Sequence, residues 1–153
     1  MDKEKKRNRY ERIYIQLKDL LEPHNNPISA MATIAAVLQN KFDYFFWTGF
    51  YLLDKDGELR VGPYQGPVAC ILLKKNMGVC WAGMNEKKTI IVEDVHNFPG
   101  HIACDSRSNS EIVVPMKNAM GEIIGVLDVD SKDLNSFDEV DQEGLEKILQ
   151  LIY

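Results

Sequence analysis

The sequence holds 153 residues, 45% apolar and 27% charged, with a net charge of −5. That is enough chain to bury a core without disulfide or metal staples. No apolar run approaches the ~18 residues of a membrane span, and the acidic balance excludes general affinity for nucleic acid, which rests on clustered Lys and Arg neutralising phosphates.

The first nine residues are charged with no apolar segment behind them, so they do not read as a secretory signal. A cytoplasmic protein, with residues 1–153 forming one domain, is the expectation. Three cysteines without a signal peptide do not make an extracellular disulfide framework. In a reducing compartment they are thiols or members of a redox cycle.

Along the chain, Tyr10, Ile13, Tyr14, Leu17, Leu20 and Leu21 recur at spacings of three and four, which predicts an amphipathic helix from about Asp2 to Leu21. Pro23 stops it. Met31, Ile34, Ala35 and Leu38 repeat the period, predicting a second helix with Ser29 as its N-cap and an end near Asn40. Tyr44 to Leu53 turns to aromatic and β-favouring types, and Asp54-Lys55-Asp56-Gly57 is a hairpin turn with Glu58 to Tyr64 as the return strand.

Val68 to Leu73, containing Cys70, reads as another strand, Val79 to Asn85 as a short helix, and Thr89 to Val92 as a strand. Asp94 to Ser110 is long and irregular, and loops of that length usually carry function. Glu111 to Pro115 and Ile123 to Val129 are strands joined by a turn at Asn118 to Gly121, and Ser136 is placed to cap a last helix. The order predicts an α+β fold: an antiparallel sheet of about six strands flanked by N-terminal and C-terminal helices.

The chemistry concentrates between Pro99 and Pro115, where His101, Cys104, Asp105, Arg107 and Glu111 stand together. The cysteines, at 70, 80 and 104, form no Cys-x-x-Cys pair, so neither a zinc ribbon nor a thioredoxin-type motif is present. A mixed Cys/His zinc site through His96 or His101 is an alternative. Cys70, in an apolar run, suits a small buried hydrophobe. Cys104, followed by Asp-Ser-Arg-Ser-Asn-Ser, does not.

A reactive cysteine works as its thiolate, which nearby cations stabilise, and His101 and Arg107 are the local candidates for that help. A Cys104 sulfenic acid would be resolved by a second thiol, Cys70 or Cys80. Asp128 and Asp130, two apart near a strand's end, project to one face. They are either strand-end solvation or a functional pair, an anionic pocket for an amine or an acid that protonates a leaving oxygen, and Glu111 could complete either one. Trp47 and Tyr51, four apart, share a strand face and serve as core or as a pocket wall. His96 reads as a hydrogen-bonder that orders its loop.

These residues resemble a known family. Gly49-Phe50-Tyr51-Leu52-Leu53, Gly62-Pro63-Tyr64-Gln65-Gly66, Gly78-Val79-Cys80, Pro-Gly-His-Ile-Ala-Cys-Asp at 99–105, Ser-Glu-Ile-Val-Val-Pro at 110–115 and Ile124 to Ser131 look like the free methionine-(R)-sulfoxide reductases, which are single GAF domains. The likeness runs from about Trp47 to Tyr153. It implies a closed pocket for the free amino acid sulfoxide, with Cys104 as the attacking cysteine, Cys70 as the main resolving partner and Cys80 as a further thiol.

Glu111, Asp128 and Asp130 match the family's pocket carboxylates, and Trp47 and Tyr51 match aromatic positions lining the site. Thioredoxin would reduce the disulfide, and no metal or organic cofactor is implied. A homodimer is allowed. Trp81 departs from the small residue usual after Cys80 and bears on how that segment moves. The alternatives are a non-catalytic GAF domain for ligand or redox sensing, and a peroxide-reactive thiol protein without methionine specificity.

Overall fold

Asn26 and Asp138, rather than the expected Ser29 and Ser136, start the second and last helices. Asn26 Oδ1 accepts from the Ser29 backbone N–H at 3.0 Å and Pro27 takes the first helical position, where its missing N–H costs nothing. Asp138 forms a capping box with Asp141, whereas Ser136 hydrogen-bonds with Ser131 across 2.7 Å. The computed structural model describes residues 1–101 and 104–153; Ile102 and Ala103, part of the 99–105 motif, lie outside the described residues.

Helices α1 (Lys3–Leu21), α2 (Pro27–Lys41), α3 (Gly78–Glu86) and α4 (Glu139–Leu149) accompany strands β1 (Trp47–Leu53), β2 (Leu59–Gln65), β3 (Leu72–Leu73), β4 (Ile90–Val92), β5 (Ser110–Lys117) and β6 (Ile123–Ser131). The strands form one antiparallel sheet in the order β3-β2-β1-β6-β5-β4. The α+β expectation and the strand count agree with this architecture.

One strand is much shorter than its sequence suggests. Of Val68 to Leu73 only Leu72–Leu73 pairs with β2, because Val68 and Ile71 turn outward and are 85% and 67% exposed. Cys70 is therefore not a core residue inside a strand: it is half-buried on the connection before β3.

The period-two alternation of β1, β5 and β6 divides the core in two. Phe50, Ile112, Val114, Met116, Leu127 and Val129 face α1, α2 and α4 and build the larger cluster with Ile13, Leu17, Ile34, Leu38 and Leu145. Helices α1 and α4 are locked by the fully buried Asp141. It accepts from Lys6 Nζ at 2.6 Å, from the Tyr10 hydroxyl at 2.8 Å and from the Tyr44 hydroxyl at 2.6 Å. The opposite face presents Trp47, Tyr51, Val113 and Val126 to α3, with Val79, Cys80 and Trp81 packed against them. On this second face, at the ends of β1, β5 and β6, the packing is incomplete and a cavity remains.

Candidate active site

Register places the polar groups of that cavity. Glu111 pairs with Asp130 across β5 and β6, Asp130 with Trp47 across β6 and β1, and Asp128 lies between Val113 and Gly49. Glu111, Asp128, Asp130, Trp47 and Tyr51 thus share one face within three adjacent strands. Two glycines make the arrangement fit. A Cβ at Gly49 would stand 2.5 Å from Cη2 of Trp47 and would also overlap Cβ of Tyr64, so glycine lets the indole lie flat along its own strand. A Cβ at Gly83 would come within 2.8 Å of Val113 Cγ1, so glycine lets α3 settle onto β5. Cys80, nearly one turn earlier on α3, is thereby brought over the carboxylates.

The cavity has a volume of about 260 Å³ and is lined by Trp47, Tyr51, Cys70, Cys80, His101, Cys104, Asp105, Ser108, Glu111, Asp128 and Asp130, with Phe46, Pro67, Met77 and Val79 among its other walls. That is just below the range typical of drug-sized ligands, and suits a molecule the size of an amino acid. All eight residues assigned to the site from sequence line it. Phe46, Met77 and Val79 were not singled out, since an apolar residue beside a strand or at a helix start carries no signal of its own that separates a pocket wall from core.

Cys70 and Cys104 are joined by a disulfide at the cavity's edge, with Cα atoms 5.6 Å apart. Cys104 is exposed and Cys70 half-buried. Two aromatic side chains hold the Cys70 segment: Tyr51 donates its hydroxyl to the Cys70 carbonyl at 3.1 Å, and Trp47 Nε1 donates to the Pro67 carbonyl at 3.0 Å. The Trp47 ring is stacked between Tyr51 and Tyr64, with centroids 5.7 and 5.2 Å away.

Arg107 is not free to assist Cys104. Its guanidinium grips Asp105 at 2.9 and 2.6 Å and lies over the Phe46 ring, holding the Asp105 carboxyl down at about 2. The pair cancels its own charge locally. His101 is half-buried in the cavity wall, and burial, followed by repulsion from His96, pushes its imidazole below the ordinary value, so it is neutral at pH 7. His96 points elsewhere: it is exposed and bonded to Asp94 at 2.8 Å, which orders the Val95–Asn97 turn.

Cys80 is a free thiol, 5% exposed. Burial, then the charges of Asp128, Glu111 and Asp130, pushes it well above the usual thiol value, so it remains protonated. The carboxylates perturb one another in the same sense. Burial and the neighbouring Asp128 push Glu111 well up, burial and Asp128 do the same to Asp130, and burial raises Asp128, a shift that the adjacent Glu111 and Cys80 oppose. Burial and mutual proximity thus both favour proton uptake by this carboxyl cluster. Burial, ahead of Asp128, likewise raises Tyr51, which acts as a neutral hydrogen-bond donor.

The described residues contain one cluster of metal-capable ligand atoms, and it is not the anticipated Cys/His set: it comprises Cys80, Glu111 and Asp128. Trp81 is buried beside Cys80 but turned from the cavity, its indole Nε1 donating to the Leu73 carbonyl at 3.4 Å. It packs between α3 and β3 rather than walling the site.

Residues 29–152 match the family model described as a GAF domain. The chain is 41% identical to the free methionine-R-sulfoxide reductase of Escherichia coli over 80% of its length and 73% of that protein. It is similar at 40% identity, with a TM-score of 0.88, to the solved free methionine-R-sulfoxide reductase of Neisseria meningitidis in complex with its substrate, covering 94% of this chain and 85% of that one. The chain belongs to the free methionine-(R)-sulfoxide reductases, a GAF-domain family.

It is also 49% identical to GAF domain-containing protein A of Dictyostelium discoideum, over 99% of this chain and 95% of that protein. As a member of the free methionine-(R)-sulfoxide reductases the chain is an oxidoreductase. Among the described residues no helix is long and apolar enough to cross a membrane.

Proposed function

We propose that this protein reduces free methionine-(R)-sulfoxide to methionine through Cys104, in the cytoplasm, and without a metal or organic cofactor. The observation that carries the reading is the Cys70–Cys104 disulfide on the wall of a cavity whose floor is Glu111, Asp128 and Asp130. Sulfoxide reduction needs a thiolate to attack sulfur and an acid to protonate the departing oxygen, since a bare oxide is a poor leaving group.

In the proposed sequence the Cys104 thiolate, its proton accepted by neutral His101, attacks the sulfoxide sulfur. The oxygen takes a proton from the Glu111 carboxyl and passes to Cys104 as a sulfenic acid, and methionine leaves with two more electrons than the sulfoxide. Cys70 attacks the Cys104 sulfur, the disulfide forms and water departs. A dithiol reductant, thioredoxin, gives up two electrons and two protons to restore both thiols. Asp128 and Asp130 receive the substrate ammonium, and Trp47 and Tyr51 flank its methyl group.

Cys70 is favoured as the resolving thiol because it is the one already bonded to Cys104, while Cys80 is held protonated beneath the carboxylates. A volume of about 260 Å³ matches a single amino acid, which favours the free sulfoxide over one within a protein. The test is turnover with dithiothreitol on free (R)-sulfoxide, free (S)-sulfoxide and a sulfoxide-containing peptide. Methionine from the first alone is expected. Equal turnover of the peptide, or turnover of hydrogen peroxide with no methionine formed, would replace the reading with a general thiol peroxidase or sensor.

A further inference from the structure

Cys80 has no task in the reaction just described, yet its thiol is buried against the carboxyl groups of the cavity. Its Sγ and one oxygen each from Glu111 and Asp128 lie within 4.8 Å of one another, and all three side chains are buried. Asp128 Oδ1 is buried and has no hydrogen-bond partner among the described residues. A third carboxyl group, that of Asp130, faces the same space. Three carboxyl groups and a thiol taken out of water cost desolvation and mutual repulsion unless protons or a cation offset them.

We propose that Cys80, Glu111 and Asp128 form a binding site for a zinc-type divalent cation that shares the cavity with the amino-acid substrate, so that metal and substrate exclude one another. The donor set decides the metal. A thiolate selects zinc or cadmium over magnesium or calcium, which require oxygen donors alone. Zinc bound at about 2.3 Å to sulfur and about 2.0–2.2 Å to oxygen sets its ligand atoms roughly 3.5 Å apart in a tetrahedron. The present separations, at most 4.8 Å, close to that by side-chain rotation.

The fourth position opens into the cavity, where water would complete the shell. Binding changes no oxidation state: the cation takes the Cys80 sulfur as thiolate and displaces the protons held by the site, which leave to solvent. Because the cation would neutralise the charge that otherwise receives an ammonium, its occupancy is inhibitory. That last consequence rests on the substrate reading above; the metal site itself does not.

The oxidised protein gives a clean test, since with Cys70 and Cys104 bonded to each other the remaining cysteine is Cys80. Cadmium alone is titrated into oxidised protein and the ultraviolet thiolate-to-cadmium charge-transfer band is recorded, with zinc added afterwards. A band saturating at one equivalent, erased by zinc and absent from Cys80→Ser, is expected. Glu111→Gln, which keeps the thiol, should retain the band with affinity weakened at least tenfold. Saturating free methionine sulfoxide, which the oxidised protein cannot turn over, should weaken cadmium binding at least tenfold.

Absence of the band from the oxidised wild type, or undiminished cadmium affinity in folded Cys80→Ser, overturns the site. Cadmium affinity unchanged by the sulfoxide overturns the exclusion. Failure of the activity reading is seen separately, as absence of turnover in metal-free buffer with a chelator.

Discussion

The Tyr51 hydroxyl donates to the carbonyl oxygen of Cys70 across 3.1 Å, tying a buried strand of the sheet to the exposed segment that carries one half of the disulfide. Trp47 on the Pro67 carbonyl and the Val61 backbone N–H on the Ile71 carbonyl are its other ties to the sheet, while the Val68 and Ile71 side chains are open to solvent. Tyr51→Phe removes the hydrogen bond and keeps the ring that stacks on Trp47. Loss of one such bond, about 0.5–1.5 kcal/mol, should slow disulfide closure by roughly 2- to 10-fold. Rapid-quench measurements separate the steps: methionine release in a single turnover stays near the wild-type rate while the loss of free thiols lags.

Glu111 supplies a pH test with a defined sign. Its carboxyl is raised in the folded protein by burial and by Asp128, so folding favours the protonated form. The stabilising contribution is complete below the unfolded value of about 4.3 and is lost as pH rises through the folded value. Glu111→Gln cannot ionise, so its urea midpoint relative to wild type should improve between pH 4 and pH 8. Turnover should show the complementary behaviour: the wild type loses activity as pH rises and the acid deprotonates, while the variant is slow throughout.

Gly49 is required by Trp47. A methyl group at 49 would meet the indole edge at 2.5 Å and the Tyr64 side chain as well. Gly49→Ala should therefore cost about 1–3 kcal/mol by overpacking and lift the indole from its place against the Cys70 segment. Thermal unfolding should report the first effect and a raised KM for the free sulfoxide the second.

Stability and chemistry are separable at Asp141. Lys6, 4% exposed, neutralises a fully buried carboxylate that also accepts from Tyr10 and Tyr44. Lys6→Ala strands that charge and should destabilise the fold by about 3–5 kcal/mol. The cluster lies on the helical face of the sheet, across from the cavity. Below its unfolding transition the variant should keep wild-type kcat.

Much of this site is legible in the chain because strands obey a strict alternation. Asp128 with Asp130, and Trp47 with Tyr51, could be assigned to common faces from spacing alone, and both pairs line the cavity. What spacing cannot supply is which strands neighbour each other. The order β3-β2-β1-β6-β5-β4 sets Trp47 opposite Asp130 and Asp130 opposite Glu111, and these contacts join residues up to 83 positions apart in the register.

Local competition explains the smaller misses. Ser29 and Ser136 are acceptable caps, but Asn26 and Asp138 reach the free N–H groups first and Ser136 is used in a bond to Ser131. Val68 to Leu73 has the composition of a strand, yet its apolar side chains are presented outward where Tyr51 and Trp47 draw its carbonyls toward the cavity. Arg107 looked available to Cys104 in sequence, and only the fold shows it spent on Asp105.

The proposed roles of the cysteines are tested most directly by one measurement. Fully reduced protein is mixed with a single equivalent of free methionine-(R)-sulfoxide, and methionine release is followed together with intact mass and peptide mapping. Methionine should form stoichiometrically with loss of two hydrogens and a Cys70–Cys104 cross-link; Cys70→Ala should instead gain one oxygen on Cys104, and Cys104→Ser should release no methionine. Methionine release by Cys104→Ser at the wild-type rate, or oxidation mapping to Cys80 in the wild type, would contradict it.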